Sequence, residues 1–173
     1  LRGSNPRGKA PKARPGETRM AKTALVLGGG FGGLEAAIQL RERGFEVTLV
    51  SSRDFLFVYP TSIWIVTGEK RFDDVCLDLA SVARRHGFAF RVGTVERIDG
   101  ASRSAVVSGE TLRADHLVVA MGGAKLAPRG VEHTHTICGA PEATVRLKEA
   151  LDALLARGRG RIAMGFGGNP KDP

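Results

Sequence analysis

Gly28, Gly30 and Gly33 are spaced to hold a phosphate group against the main chain. The first glycine permits a tight bend after a strand. The second leaves room for a pyrophosphate, and the third lets the next helix pack closely. The phosphates would sit at a helix N-terminus, where N–H groups without partners and the helix dipole favour anions. Phe31 lies inside the same turn and is counted with it. The competing reading is a glycine-rich turn that only packs. The context argues against it, because the turn follows an apolar strand and opens a helix.

A dinucleotide turn calls for a second part, a carboxylate at the end of the next strand to meet the ribose hydroxyls. Ser51, Ser52 and Arg53 stand there instead. Glu46 is at the wrong end of that strand, and Asp54 comes several residues late. Two readings stay open. The serine hydroxyls replace the carboxylate, or Arg53 holds a 2′-phosphate as in NADP-binding turns. A solvated surface charge at Arg53 is the bland alternative.

Cys138 is the third feature. It precedes a helix that Pro141 opens, and the positive end of a helix stabilises the thiolate, the reactive form of cysteine. His133 and His135 are close in sequence. Free cysteine is more often a small buried hydrophobe. Cys76 is read as bordering the apolar stripe of the helix near 79–86, with no catalytic role.

These residues need elements to place them. Thr23–Leu27 is a short apolar run of a buried parallel strand. Leu34, Ala37 and Ile38 recur at helical spacing up to Arg43, and Gly44 stops the helix. Glu46–Val50 is a second strand, completing a βαβ unit with its right-handed crossover. Residues 51–72 read as an irregular functional loop holding Phe55, Phe57, Tyr59 and Trp64. A helix over Leu79–His86 stops at Gly87, and Phe88–Val92 is a third strand. Thr94–Ile98, Ser104–Val107 and Thr111–Leu112 form a small antiparallel meander. His116–Ala120 reads as another buried strand, ended by Met121-Gly122-Gly123. Pro141 opens a helix with Leu147, Leu151, Leu154 and Leu155, stopped by Gly158. Arg161–Met164 starts one more strand, running into Gly165-Phe166-Gly167-Gly168.

The expectation is an α/β fold, a Rossmann-like parallel sheet with a small antiparallel β-meander insertion. Residues 1–19 are a leader or tag without order. Residues 20–128 form the dinucleotide-binding domain, 129–160 a connector and helix, and 161–173 the start of a second dinucleotide-type domain. A strand ending in a glycine turn calls for a helix after it, so the chain reads as the first part of a longer protein.

Composition narrows the classes. The 173 residues are 42% apolar and 25% charged, as in ordinary globular proteins. No run of about 18 apolar residues marks a membrane span. The net charge is +8, but residues 1–20 hold six basic residues against one acid, leaving +3 for the rest. The basic tail therefore says little about a nucleic-acid partner, and none is expected. Two cysteines 62 residues apart exclude a disulfide framework and zinc spacing. They suit the cytoplasm or the cytoplasmic face of a membrane.

The order of elements, followed by Ala114-Asp115-His116-Leu117-Val118-Val119-Ala120-Met121-Gly122-Gly123-Ala124, resembles the FAD-binding half of the two-dinucleotide-fold flavoprotein disulfide reductases. The resemblance spans residues 22–168 and departs at Met121, where threonine is usual. It implies FAD as cofactor, with the backbone near Val95 against the adenine. It also implies that Ala120, Met121 and Gly122 pass close to the FAD phosphates or ribityl chain.

Ser51–Pro60 and Thr136–Ala143 are most similar to the sulfide:quinone oxidoreductase and flavocytochrome c sulfide dehydrogenase branches. That implies Pro60 beside the flavin ring and Cys138 as a first redox cysteine. It further implies a quinone or cytochrome acceptor, the remainder of the protein as partner, and peripheral membrane contact through that remainder. The second redox cysteine of those enzymes has no counterpart in Gly165–Pro170. A single-subunit NADH:quinone oxidoreductase-like protein, a flavin-free NADP(H) domain using Arg53, and a basic binding protein acting through its tail are the alternatives.

Overall fold

The computed structural model describes residues 21–123, 130–137 and 140–165. Cys138, the leader 1–19 and the glycine turn from Phe166 onward lie outside the described residues.

The centre is a four-stranded parallel sheet. Its strands are β1 (Thr23–Leu27), β2 (Glu46–Ser51), β5 (Ala89–Val92) and β9 (His116–Val119), in the order β5-β2-β1-β9. Between them in sequence come β3 (Phe55–Phe57), β4 (Cys76–Asp78), β6 (Val95–Asp99), β7 (Ser104–Val107) and β8 (Glu110–Arg113). The helices are α1 (Phe31–Glu42), α2 (Ser62–Val66), α3 (Leu79–His86) and α4 (Glu142–Ala156).

Side-chain alternation along β1 and β2 builds the layers. Ala24, Val26, Val47 and Leu49 pack with Leu34 and Ala37 of α1 and Leu79 and Ala83 of α3. Leu25, Leu27 and Val50 face the other way, onto Ala105 and Val107 of the antiparallel sheet β6-β7-β8. Helices therefore cover one face and the meander covers the other. Both faces are dry, so β1 reads as a continuous apolar run. Each fully buried Leu or Val contributes about 1.5–3 kcal/mol.

The helix ends follow local chemistry. Asp78 caps α3, accepting N–H bonds from Ala80 and Ser81 at 3.3 and 2.9 Å. These bonds, with the Ser81 side chain first, hold its carboxyl below the usual range. Arg84, Arg85 and His86 complement the dipole at the other end, and Gly87 closes the helix at φ +74°.

Four readings are corrected. Residues 51–72 are not a structureless loop. They hold β3, a 3₁₀ turn over Tyr59–Thr61 and α2, and β3 pairs antiparallel with β4. The strands have three residues each, too few to show a period. Cys76 starts β4, not a helix, and pairs with Phe57. β9 is an edge strand, with Val119 56% exposed, because among the described residues β1 is its only neighbour in the sheet. Residues 161–165 form no strand, since nothing among the described residues pairs with them, and Ile162 and Met164 are exposed. In α4, Ala143 and Thr144 are buried, while Leu155 is exposed. The packed end of that helix is its start.

Candidate functional site

Strand order reverses between β1 and β9. From β1 the chain moves outward through β2 to β5, then returns to the opposite side as β9. The crevice at the carboxyl ends of these strands is where open α/β sheets take ligands. All four ends meet on one rim. Gly28 N–H donates to Val50 O, Gly93 N–H to Ser51 O and Ala120 N–H to Leu27 O, each at 2.8 Å.

The glycine turn fills its assigned place. Gly28 has φ +113°, and a Cβ there would strike the Ala120 carbonyl. A Cβ on Gly33 would strike the Gly28 carbonyl. Both positions are closed to any side chain by neighbouring backbone. Gly30 is the opposite case: a Cβ there would meet nothing within 4 Å. Packing does not demand a glycine at that point, whereas a phosphate approaching the main chain does. Gly30 also caps α1 with no side-chain hydrogen bond, and the first turn holds no acidic residue. The first N–H groups of α1 thus face outward uncapped, the cradle an anion needs. FAD, with its pyrophosphate, fits these residues.

The other expected residues fall around the rim unequally. Ser51 is buried, and its side chain packs on the turn, with Oγ 2.6 Å from where a Cβ on Gly29 would lie. Ser52 is exposed. Val95 opens β6, two residues beyond Gly93, with its side chain in the core between sheet and meander. Ala120, Met121 and Gly122 follow β9. Met121 is 51% exposed, and Gly122 turns the chain at φ +73°. Phe31, the first residue of α1, is 56% exposed. Pro60 lies in the 3₁₀ turn, supported by edge-on packing of Tyr59 on Phe57 at 5.0 Å. The described contacts do not join Pro60 to the glycine turn.

Arg53 is engaged. Its guanidinium nitrogens lie 3.4 Å from both carboxylate oxygens of Glu142, and it stands 5.5 Å over the Phe55 ring. A 2′-phosphate would have to displace a carboxylate from it. Sequence reading missed Glu142. An acid after Pro141 reads as dipole compensation at a helix start, and nothing local points to a partner 89 residues away. Thr144 was missed as well. It is fully buried, and its hydroxyl has no hydrogen-bond partner among the described residues.

Asp115 does positioning work at the other end of the sheet. It accepts from Thr23 N and Oγ1 at 2.8 and 3.0 Å, and its own N–H donates to Thr23 Oγ1 at 2.9 Å. This clasp aligns the starts of β1 and β9. The bonds, the Thr23 backbone first, lower the Asp115 carboxyl below its usual value. Cys76 is half-buried, and burial, with the carboxylates of Asp73, Glu142 and Asp54 against Arg53, pushes its thiol up. It stays a thiol near neutrality, the unreactive form.

Residues 22–167 match the family model of the pyridine nucleotide-disulphide oxidoreductases. The chain belongs to that family. Its members are FAD-dependent enzymes, and FAD is the cofactor that goes with this fold. The sulfide-quinone reductase of Aquifex aeolicus is 31% identical over 129 residues, 72% of this chain and 30% of the relative. A demethylphylloquinone reductase of Synechocystis is 30% identical over 109 residues, 57% of this chain and 27% of the relative. The solved sulfide:quinone oxidoreductase of Aquifex aeolicus superposes with a TM-score of 0.71 at 30% identity, covering 79% of this chain and 33% of that one. The chain therefore spans about a third of the length of the relatives it matches.

Proposed function

We propose that this chain is the FAD-binding part of an oxidoreductase that takes electrons from a small donor, sulfide in the first instance, and delivers them to a quinone. One observation carries the reading. A glycine cradle closed by backbone at Gly28 and Gly33 and open at Gly30 stands at the switch point of the sheet, in a chain 31% identical to a sulfide-quinone reductase.

When bound, FAD supplies the two-electron redox chemistry. The protein's part is to bind and orient. Gly28 and Gly33 shape the bend, and the uncapped start of α1 holds the pyrophosphate. Ser51 and Ser52 meet the adenosine ribose in place of the missing carboxylate. Ala120–Gly122 and the backbone near Val95 flank the rest of the cofactor, and Pro60 borders the ring. Cys138 receives the donor's sulfur. Hydrosulfide gives up two electrons and one proton to become zero-valent sulfur, and the electrons leave toward the quinone. Among the described residues no helix is long and apolar enough to cross a membrane.

A visible spectrum and a flavin assay on heat-released supernatant test the cofactor. Sulfide-dependent bleaching, measured for the parent and for Cys138→Ser, tests the donor. Bleaching in the parent and at least about tenfold slower in the variant supports the reading. Equal bleaching in both removes Cys138 from the chemistry.

A further inference from the structure

Arg53 touches two parts of the molecule that are remote in sequence. Its backbone N–H donates to Ser51 Oγ at 3.2 Å. Ser51 in turn packs on Gly29, inside the glycine turn. On the other side, the Arg53 guanidinium faces both oxygens of Glu142, the first residue of α4, with Phe55 beneath it. α4 is seated next to this pair. Val145 packs on the cluster of Phe57, Ile65 and Val75, and the helix lies against α2. Cys76 borders the same cluster.

We propose that Arg53 is a positioning residue that couples occupation of the glycine turn to the seating of α4, through Ser51 on one side and Glu142 on the other. The proposal rests on the glycine turn being the FAD cradle. A ligand that stiffens the turn stiffens Ser51 and the main chain at Arg53. The planar guanidinium fork passes that restraint to Glu142, because two parallel contacts fix its orientation better than a single ammonium would. The coupling is reciprocal, so a well-seated α4 also tightens the cradle. Its size is bounded by the pair itself. Side chains 37% and 50% exposed form a solvated ion pair. Such pairs are worth at most about a fivefold change in an equilibrium.

Cys76 reports the seating of α4 without any turnover. Its alkylation by iodoacetamide, followed by the mass of its peptide, is read with and without saturating FAD. FAD slows the reaction in the parent by about two- to fivefold. Arg53→Gln and Glu142→Gln each remove that FAD effect, while flavin-fluorescence titration shows FAD binding weakened by no more than about fivefold. The double exchange Arg53→Glu with Glu142→Arg restores the effect, and Arg53→Lys keeps part of it. Equal slowing by FAD in Arg53→Gln and in the parent overturns the proposal. So does a charge exchange that folds, binds FAD and restores nothing. A parent chain that binds no FAD in the titration overturns the cradle reading, and the proposal with it.

Discussion

The glycine rim and the aromatic flank are built by different means. The rim is backbone held by backbone. Three carbonyl-to-amide bonds of 2.8 Å fix it, and neighbouring main chain forbids side chains at Gly28 and Gly33. Beneath it, Leu27, Leu49, Val26 and Val50 are fully buried. The flank of β3, β4, α2 and the start of α4 adds side-chain contacts to the short β3–β4 ladder. Phe57 stacks with Phe72 at 5.5 Å, Phe55 meets Phe72 edge-on at 5.7 Å, and Arg53 reaches Glu142. Its edges stay wet, with Tyr59, Ile63 and Trp64 each more than 40% exposed. A rigid rim suits the invariant part of a dinucleotide, its pyrophosphate.

Substitutions sharpen the contrast. Gly28→Ala combines a left-handed φ with a backbone collision, and costs about 3 kcal/mol or more of folding stability. It abolishes FAD binding as well, checked by denaturant melts and flavin titration. Leu49→Ala opens a cavity in the sheet core and costs about 3 kcal/mol in the same melts. Val75→Ala, in the flank, costs only about 1–2 kcal/mol, because valine loses fewer buried carbons than leucine. A Val75→Ala cost equal to that of Leu49→Ala would remove the distinction between the two regions.

The smallest effect concerns Asp115. Its carboxyl is lowered in the folded chain, so its stabilisation is present above the ordinary aspartate range, near about pH 4. It is lost as pH falls through the lower, folded value. Asp115→Asn lowers Tm at pH 7 and weakens the acid-side fall in Tm. An unchanged acid limb would show that the Thr23 clasp contributes nothing.

Legibility in the sequence follows the same division. β1, α1, β2, α3, β5 and the meander announce themselves because their signals are local. Leu34, Ala37 and Ile38 keep a helical period, Gly44 and Gly87 mark helix ends, and β1 is an unbroken apolar run. The glycine spacing is legible for the same reason, because Gly28, Gly30 and Gly33 lie within six residues, although the Ala120 carbonyl that closes Gly28 does not. The flank is not. β3 and β4 are three residues long and stabilise each other only once paired, and the Arg53–Glu142 contact spans 89 positions. Burial of β9 was overread because an apolar strand looks the same at an edge as at the centre. Arg161–Met164 has strand composition, yet composition does not supply a partner to pair with.

The most direct test of the account is FAD affinity in Gly30→Leu, because that position is open in the fold and is where the proposed cradle would take the pyrophosphate. The account predicts a parent that binds FAD and a variant with unchanged Tm whose affinity is weaker by about a hundredfold or more. A variant that binds FAD as tightly as the parent would contradict it.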